Sequence, residues 1–162
     1  MSNIVVILSP TNEGSEIRMK ESQDAAEQVG QIDLRIVDSE QSFDDVAEQC
    51  QGAVVVVPHG KYVELTKLAE KIGSLKLVQT PSAGTDWIDK AALAELGVDV
   101  ANNGGANAVA VAEHAIGLMF STNRKLDVQI ESVKQGTWMA GVEGDRAEFH
   151  TLVGKRVGII GL

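Results

Sequence analysis

Residues Ala53–Pro81 read AVVVVPHGKYVELTKLAEKIGSLKLVQTP. The apolar runs Ala53–Val57 and Leu75–Gln79 are continuous rather than alternating, the pattern of strands covered on both faces. Between them Leu65, Leu68 and Ile72 share one face of a helix that stops at Gly73. Strand, helix and strand in that order imply a parallel pair joined by a right-handed crossover. The unit therefore points to a layered α/β architecture.

The same alternation extends to both sides. Ile4–Leu8 and Leu34–Val37 read as earlier strands, and Val98–Ala101 as a later one. Ser42 stands before Asp44 and Asp45 and the apolar series Phe43, Val46 and Ala47, as an N-cap stands before a helix. Asp86 is expected to cap another helix, with Ile88, Ala92 and Leu96 on its apolar face and Gly97 at its end. Thr11 to Gly30 is polar, and is read as a loop followed by a helix from about Ser22. Residues 1–102 are thus expected to form a five-stranded, flavodoxin-like, doubly wound parallel sheet.

The section from 103 to 162 has a different texture. After the loop Asn102-Asn103-Gly104-Gly105, a long helix is predicted from Asn107 to about Lys134. Val109, Ala112, Ile116, Met119 and Phe120 form one stripe, and Ala108, Ala110, Val111, Ala115 and Leu118 make the rest nearly apolar. Such a helix is expected to be buried on most sides. Gln135–Leu152 looks irregular, and Arg156–Gly161 reads as a buried parallel strand leading to a phosphate-binding turn.

A formal charge of −9 and a pI near 4.7 argue against a nucleic-acid or anionic-membrane surface. The apolar start Ile4–Leu8 is short and lacks a basic leader, so it reads as a strand rather than a signal peptide. Glu113-His114 interrupts the apolar stretch Ala106–Phe120, which argues against a membrane span. Cys50 is the single cysteine, so no intrachain disulfide forms and a cytoplasmic, reducing compartment is expected. Late in an amphipathic helix beside Gln49 and Gln51, it reads as structural rather than catalytic.

Ligands of open parallel sheets sit beyond the carboxyl ends of the strands. Ser82, Ala83 and Gly84 leave backbone N–H groups uncovered there, just before the expected helix, as suits a carboxylate or phosphate. A plain tight turn is the alternative. His59 follows a strand end, and is either a donor to an anion in the same crevice or an ordinary exposed histidine. Asn107 is either only the N-cap of the long helix or also a crevice residue. Glu113 and His114 are adjacent on a helix and point about 100° apart, which disfavours a shared metal. His150 has no partner motif, and no nucleophile-elbow, P-loop or Cys-x-x-Cys pattern occurs.

LVQTPSAGTDWID at Leu77–Asp89, NAVAVAEHAIGLM at Asn107–Met119, GTW at Gly136–Trp138 and LVGKRVGIIGL at Leu152–Leu162 occur in order. Together they make the chain resemble the D-isomer-specific 2-hydroxyacid dehydrogenases, which include phosphoglycerate, glycerate/hydroxypyruvate, D-lactate and formate dehydrogenases. The resemblance implies two lobes, one flavodoxin-like for substrate and one Rossmann-type for NAD or NADP, with the active site between them. It implies that Ala83 and Gly84, with Ser82 beside them, hold the substrate carboxylate. Thr85 is similar to residues near the nicotinamide, Val111 to residues of the cofactor pocket, and Asn107 to a substrate-contacting asparagine. His59 falls in a loop where phosphoglycerate-type members offer an arginine, a departure that weighs against a phosphorylated substrate. Gly161 matches the first glycine of G-x-G-x-x-G.

By the same resemblance, the catalytic Arg, Glu and His would lie past Leu162, so no catalytic residue is assigned within the chain. The implied reaction is hydride transfer between a nicotinamide and a small 2-hydroxy or 2-keto acid, with this piece supplying the carboxylate loop and inactive alone. A homodimer through residues 107–150 is implied for the whole protein. The rival is a non-catalytic, flavodoxin-like ligand-sensing or dimerisation module, akin to corepressor-like relatives of these enzymes.

Overall fold

The computed structural model describes residues 3–10, 15–60, 64–138 and 151–160. Two compact units divide it at Ala106 and Asn107. The first contains five strands, β1 Asn3–Ser9, β2 Ile32–Asp38, β3 Ala53–Pro58, β4 Leu77–Gln79 and β5 Asp99–Ala101. The helices α1 Ser15–Val29, α2 Phe43–Gln49, α3 Leu65–Ile72 and α4 Lys90–Glu95 alternate with them.

The strands lie in the order β2-β1-β3-β4-β5, all parallel. This is the flavodoxin-like doubly wound order expected from the alternation of strands and helices. Register follows burial: Val6 pairs with Val56, and Val56 with Val78, three fully buried valines in one row across the sheet. Leu8, Val46, Leu68 and Leu93 close the same core from strand and helix sides. Each fully buried leucine or valine contributes about 1.5–3 kcal/mol of transfer free energy.

Local chemistry sets the helix ends. Ser42 Oγ accepts the Asp45 N–H at 3.3 Å and caps α2. Gly73 closes α3 in the left-handed conformation, φ 62°, its N–H bonded to the Ala69 carbonyl. Two expectations need correction. α1 begins at Ser15 rather than near Ser22. It lacks a clean apolar stripe, but Lys20, Glu21, Gln23, Ala25, Ala26 and Glu27 are good helix formers, and propensity carries what periodicity does not show. The cap of α4 is Asp89, whose carboxylate accepts the Ala92 N–H at 3.0 Å, and not Asp86. Asp86 sits in a turn closed by the Ile88 N–H on the Thr85 carbonyl. Ile88 and Leu93 flank the cap at the N′ and N4 positions of a hydrophobic staple, and both are buried. Leu96, placed on that face by the sequence, is 39% exposed.

The second unit contains α5 Ala108–Arg124 and α6 Leu126–Lys134. The single helix expected to Lys134 is broken at Lys125, which takes φ 48° and ends one helix while starting the next. Near the break, the Asn123 side-chain amide donates to the Met119 carbonyl at 2.7 Å, a local bond that competes with helix continuation. Ser132, buried near the end of α6, is tied reciprocally to Thr137: Ser132 Oγ donates to the Thr137 carbonyl, and Thr137 Oγ1 to that of Ser132.

No residue of α5 is buried, which corrects the expectation of a helix covered on most sides. Val109 is 74% exposed and Phe120 51%. Apolarity records a demand for cover, and among the described residues of this unit the helical neighbour of α5 is the nine-residue α6. The run read as a strand at Arg156–Gly161 has no regular structure over its described part, 156–160, and Ile160 is fully exposed. A strand requires a hydrogen-bonded neighbour, and none of the described strands pairs with it. Among the described residues, no helix is long and apolar enough to cross a membrane.

Candidate functional site

Because every strand is parallel, the segments after β1, β3, β4 and β5 gather at one edge of the sheet. Strand order reverses between β1 and β3, and His59 directly follows β3 there. Its backbone N–H donates to the Leu8 carbonyl at 2.7 Å, and the residue is half-buried.

The loop after β4 has an unusual division of hydrogen bonds. Each carbonyl from Thr80 to Thr85 accepts a bond from the chain itself. Gln79 Nε2 donates to Thr80 O, and Asn103 Nδ2 to Pro81 O at 3.5 Å. Thr80 Oγ1 and the Asn103 N–H both donate to Ser82 O, at 2.8 and 3.1 Å. Asn102 Nδ2 donates to Ala83 O at 2.7 Å, Ser82 Oγ to Gly84 O at 3.3 Å, and the Ile88 N–H to Thr85 O. By contrast, the N–H groups of Ser82, Ala83, Gly84 and Thr85 meet no acceptor among the described residues. Ser82, Ala83 and Gly84 are exposed and Thr85 is half-buried.

A loop with occupied carbonyls and open amides presents positive partial charge to solvent, and suits an anion. Thr80, fully buried, anchors its base. A Cβ on Gly84 would meet only Asp86 Oδ2, at 3.9 Å, so internal packing does not demand the glycine and the outer side is left open for close approach. Lys90 Nζ donates to Thr85 Oγ1 at 3.2 Å and places a cation beside the loop, while Asp86 places a carboxylate near Gly84. Helix α4 has only six residues, and it begins beyond this loop. The expected support from a helix N-terminus directly after Gly84 is therefore absent, and the amides act through the loop's own geometry.

The four loop residues proposed from sequence thus stand together, with His59 at the same sheet edge. Asn107 and Val111 belong to the second unit. Asn107 occupies the N-cap position of α5, where its carbonyl accepts the Val111 N–H at 2.9 Å and its side chain makes no capping bond. Val111 is exposed on α5, and Gly161 lies outside the described residues. Sequence reading missed Thr80, Asn102, Asn103 and Lys90. The asparagine pair was visible as a loop, but its role depends on β5 lying beside β4.

Cys50 is fully buried at the end of α2, and burial pushes its thiol up to about 11 against a smaller opposing pull from Arg35. At neutral pH it is a protonated core group rather than a nucleophile. Glu113 and His114 are both exposed, and His150 lies outside the described residues. Among the described residues, no group of three or more His, Cys, Asp or Glu side chains is placed to hold a metal ion.

Fold and loop together give a parallel α/β lobe whose turn after β4 has engaged carbonyls and open amides. Residues 5–151 match the family model described as D-isomer specific 2-hydroxyacid dehydrogenase, catalytic domain, and the chain belongs to that family. It is 38% identical over 91 residues to D-3-phosphoglycerate dehydrogenase of Archaeoglobus fulgidus, an overlap of 55% of this chain and 16% of that protein. It is 29% identical over 120 residues to glycerate dehydrogenase of Methylorubrum extorquens, covering 73% of this chain and 38% of the relative. The NAD-dependent formate dehydrogenase of Staphylococcus aureus, solved in complex with NAD, superposes with a TM-score of 0.64 at 22% identity. That superposition covers 86% of this chain and 44% of that one, and shows the shared fold. The chain thus spans less than half the length of these relatives.

Proposed function

We propose that the chain forms the substrate-binding part of an NAD- or NADP-dependent oxidoreductase that interconverts small 2-hydroxy and 2-keto acids. The observation that carries this reading is the loop at Ser82–Thr85, whose carbonyls are engaged while its amides are open. A 2-keto acid brings a carboxylate to those amides. The membership in the 2-hydroxyacid dehydrogenase family supports the choice of a carboxylate over other anions.

In this proposal Ser82, Ala83 and Gly84 bind the substrate carboxylate, with His59 and Asn107 as further substrate contacts. Thr85, Val111 and Gly161 contact the cofactor. In this reading a nucleotide-binding lobe holds the cofactor and sets its nicotinamide against the bound acid. Hydride transfer is accordingly expected only when a nucleotide-binding lobe is present, in a cytoplasmic enzyme. The exposed apolar residues of α5 and α6, including Val109, Ile116 and Phe120, support a homodimer built on this region.

The test is titration of the 162-residue chain with oxalate while backbone amide resonances are recorded. Saturable shifts centred on Ser82–Thr85 are expected, and shifts spread over the surface or absent would overturn the carboxylate reading. Turnover of glyoxylate or hydroxypyruvate with NADH by the same chain is expected to be undetectable. Sedimentation of wild type and Phe120→Glu tests the dimer: a monomeric wild type would remove that element.

A further inference from the structure

Holding four N–H groups open requires that something else hold the same loop's carbonyls, or the loop would turn and satisfy its own amides. The next strand supplies much of that hold. Directly after β5, Asn102 Nδ2 reaches the Ala83 carbonyl at 2.7 Å and Asn103 Nδ2 the Pro81 carbonyl at 3.5 Å. The Asn103 N–H takes the Ser82 carbonyl at 3.1 Å. Three successive carbonyls are thus secured from two adjacent residues that are 19 to 22 positions away in sequence. The shortest of the three bonds belongs to Asn102.

Gly104 lies against this brace: a Cβ there would come 3.5 Å from Asn102 Oδ1 and 3.8 Å from Nδ2. The Asn102 amide is therefore seated between the Ala83 carbonyl and the Gly104 backbone. A leucine keeps the approximate volume and loses the donors. A glutamine keeps the donors on a longer stem.

We propose that Asn102 and Asn103 are positioning residues for the bound carboxylate: they hold the carbonyls of Pro81, Ser82 and Ala83 so that the amides of Ser82–Thr85 stay directed to the ligand. Neither touches the ligand, and both act through the loop. This inference rests on the carboxylate reading of that loop. It also ties the loop to the segment that leads into α5, since Asn102 and Asn103 directly precede Gly104 and Gly105.

Oxalate titrations of wild type, Asn102→Leu and Asn102→Gln, followed at the backbone amides, test it. Loss of one bracing bond is expected to weaken oxalate binding roughly five- to tenfold in Asn102→Leu. Asn102→Gln is expected to fall between it and wild type. The amide resonances of Ser82–Thr85 shift in the ligand-free Leu variant, while those of core residues such as Val46 and Leu68 stay in place. That pattern separates positioning from a general loss of folding. Should Asn102→Leu bind oxalate as wild type does, the brace is overturned while the carboxylate loop stands. If wild type itself binds no oxalate at these amides, both fall together.

Discussion

Leu68 and Phe120 are large apolar residues on helices of one chain, and they end in opposite surroundings. Leu68 is fully enclosed beneath the sheet, with Val56, Val78 and Leu93 in the same core. Phe120 stands on α5 with half of its surface exposed, as do Ile116 and Leu118. A parallel sheet brings its own cover, because each crossover helix is delivered onto a sheet face by the connection itself. A lone pair of helices has no such provision, and its apolar face waits for another surface. Apolar patterning therefore states which face seeks burial. Topology decides whether the chain supplies it.

The largest effect that would break this contrast lies in its two leading residues. Leu68→Ala is expected to lower unfolding stability by about 2–5 kcal/mol, through lost transfer energy and a residual cavity. At concentrations where the chain is monomeric, Phe120→Ser is expected to stay within about 0.5 kcal/mol of wild type. Urea unfolding followed by Trp87 fluorescence measures both, because Trp87 packs against the core whereas Trp138, replaced by Phe for the purpose, is 83% exposed. Equal losses from the two substitutions would mean that α5 is covered in solution by some surface of the monomer.

A second effect sharpens how dry the enclosed side is. Burial pushes the Cys50 thiol up to about 11, above the ordinary thiol value, against a smaller opposing pull from Arg35. A raised folded value means that the folded state is favoured in full below pH 9. That contribution is then lost as pH rises through 11. Its full size is about 2–3 kcal/mol. Comparing the pH slope of stability in wild type and Cys50→Ala isolates it from lysine titration. Parallel slopes would show that water reaches the thiol, and that the lobe is less closed than its exposure indicates.

The contrast also explains what could be read from sequence. Continuous runs such as Ala53–Val57 and the stripe Leu65, Leu68, Ile72 made the sheet lobe legible, because parallel strands are apolar on both faces and their crossover helices on one. The loop at Ser82–Gly84 was visible as small residues at a strand end. Its bracing was not, since Asn102 and Asn103 reach it only because β5 lies beside β4, and strand order is not written locally. The break at Lys125 was hidden for another reason: a lysine with φ 48° carries no compositional mark of a left-handed residue, as a glycine would. Only the first two turns of α1, before Ser22, escaped, because their formers are mostly polar and periodicity is silent about propensity.

The smallest effect separates the two aspartates, Asp86 and Asp89, that follow the Ser82–Thr85 loop. Asp89→Ala removes the acceptor of the Ala92 N–H and is expected to destabilise the first unit by about 1 kcal/mol, similar to Ser42→Ala at the start of α2. A six-residue helix does not stand alone, so the loss is read in the cooperative unfolding of the lobe that Ile88 and Leu93 anchor. Asp86→Ala removes an exposed carboxylate that caps nothing, and its expected change in stability is within about 0.5 kcal/mol. Its effect belongs instead to the loop. With one negative charge removed from beside Gly84, oxalate binding strengthens at low salt, and the gain fades as salt screens it. Urea unfolding and oxalate titration on the same two variants therefore give opposite rankings. Asp89→Ala loses stability and Asp86→Ala gains affinity, and a reversed order would return the cap to Asp86 and the helix N-terminus to the Ser82–Thr85 loop.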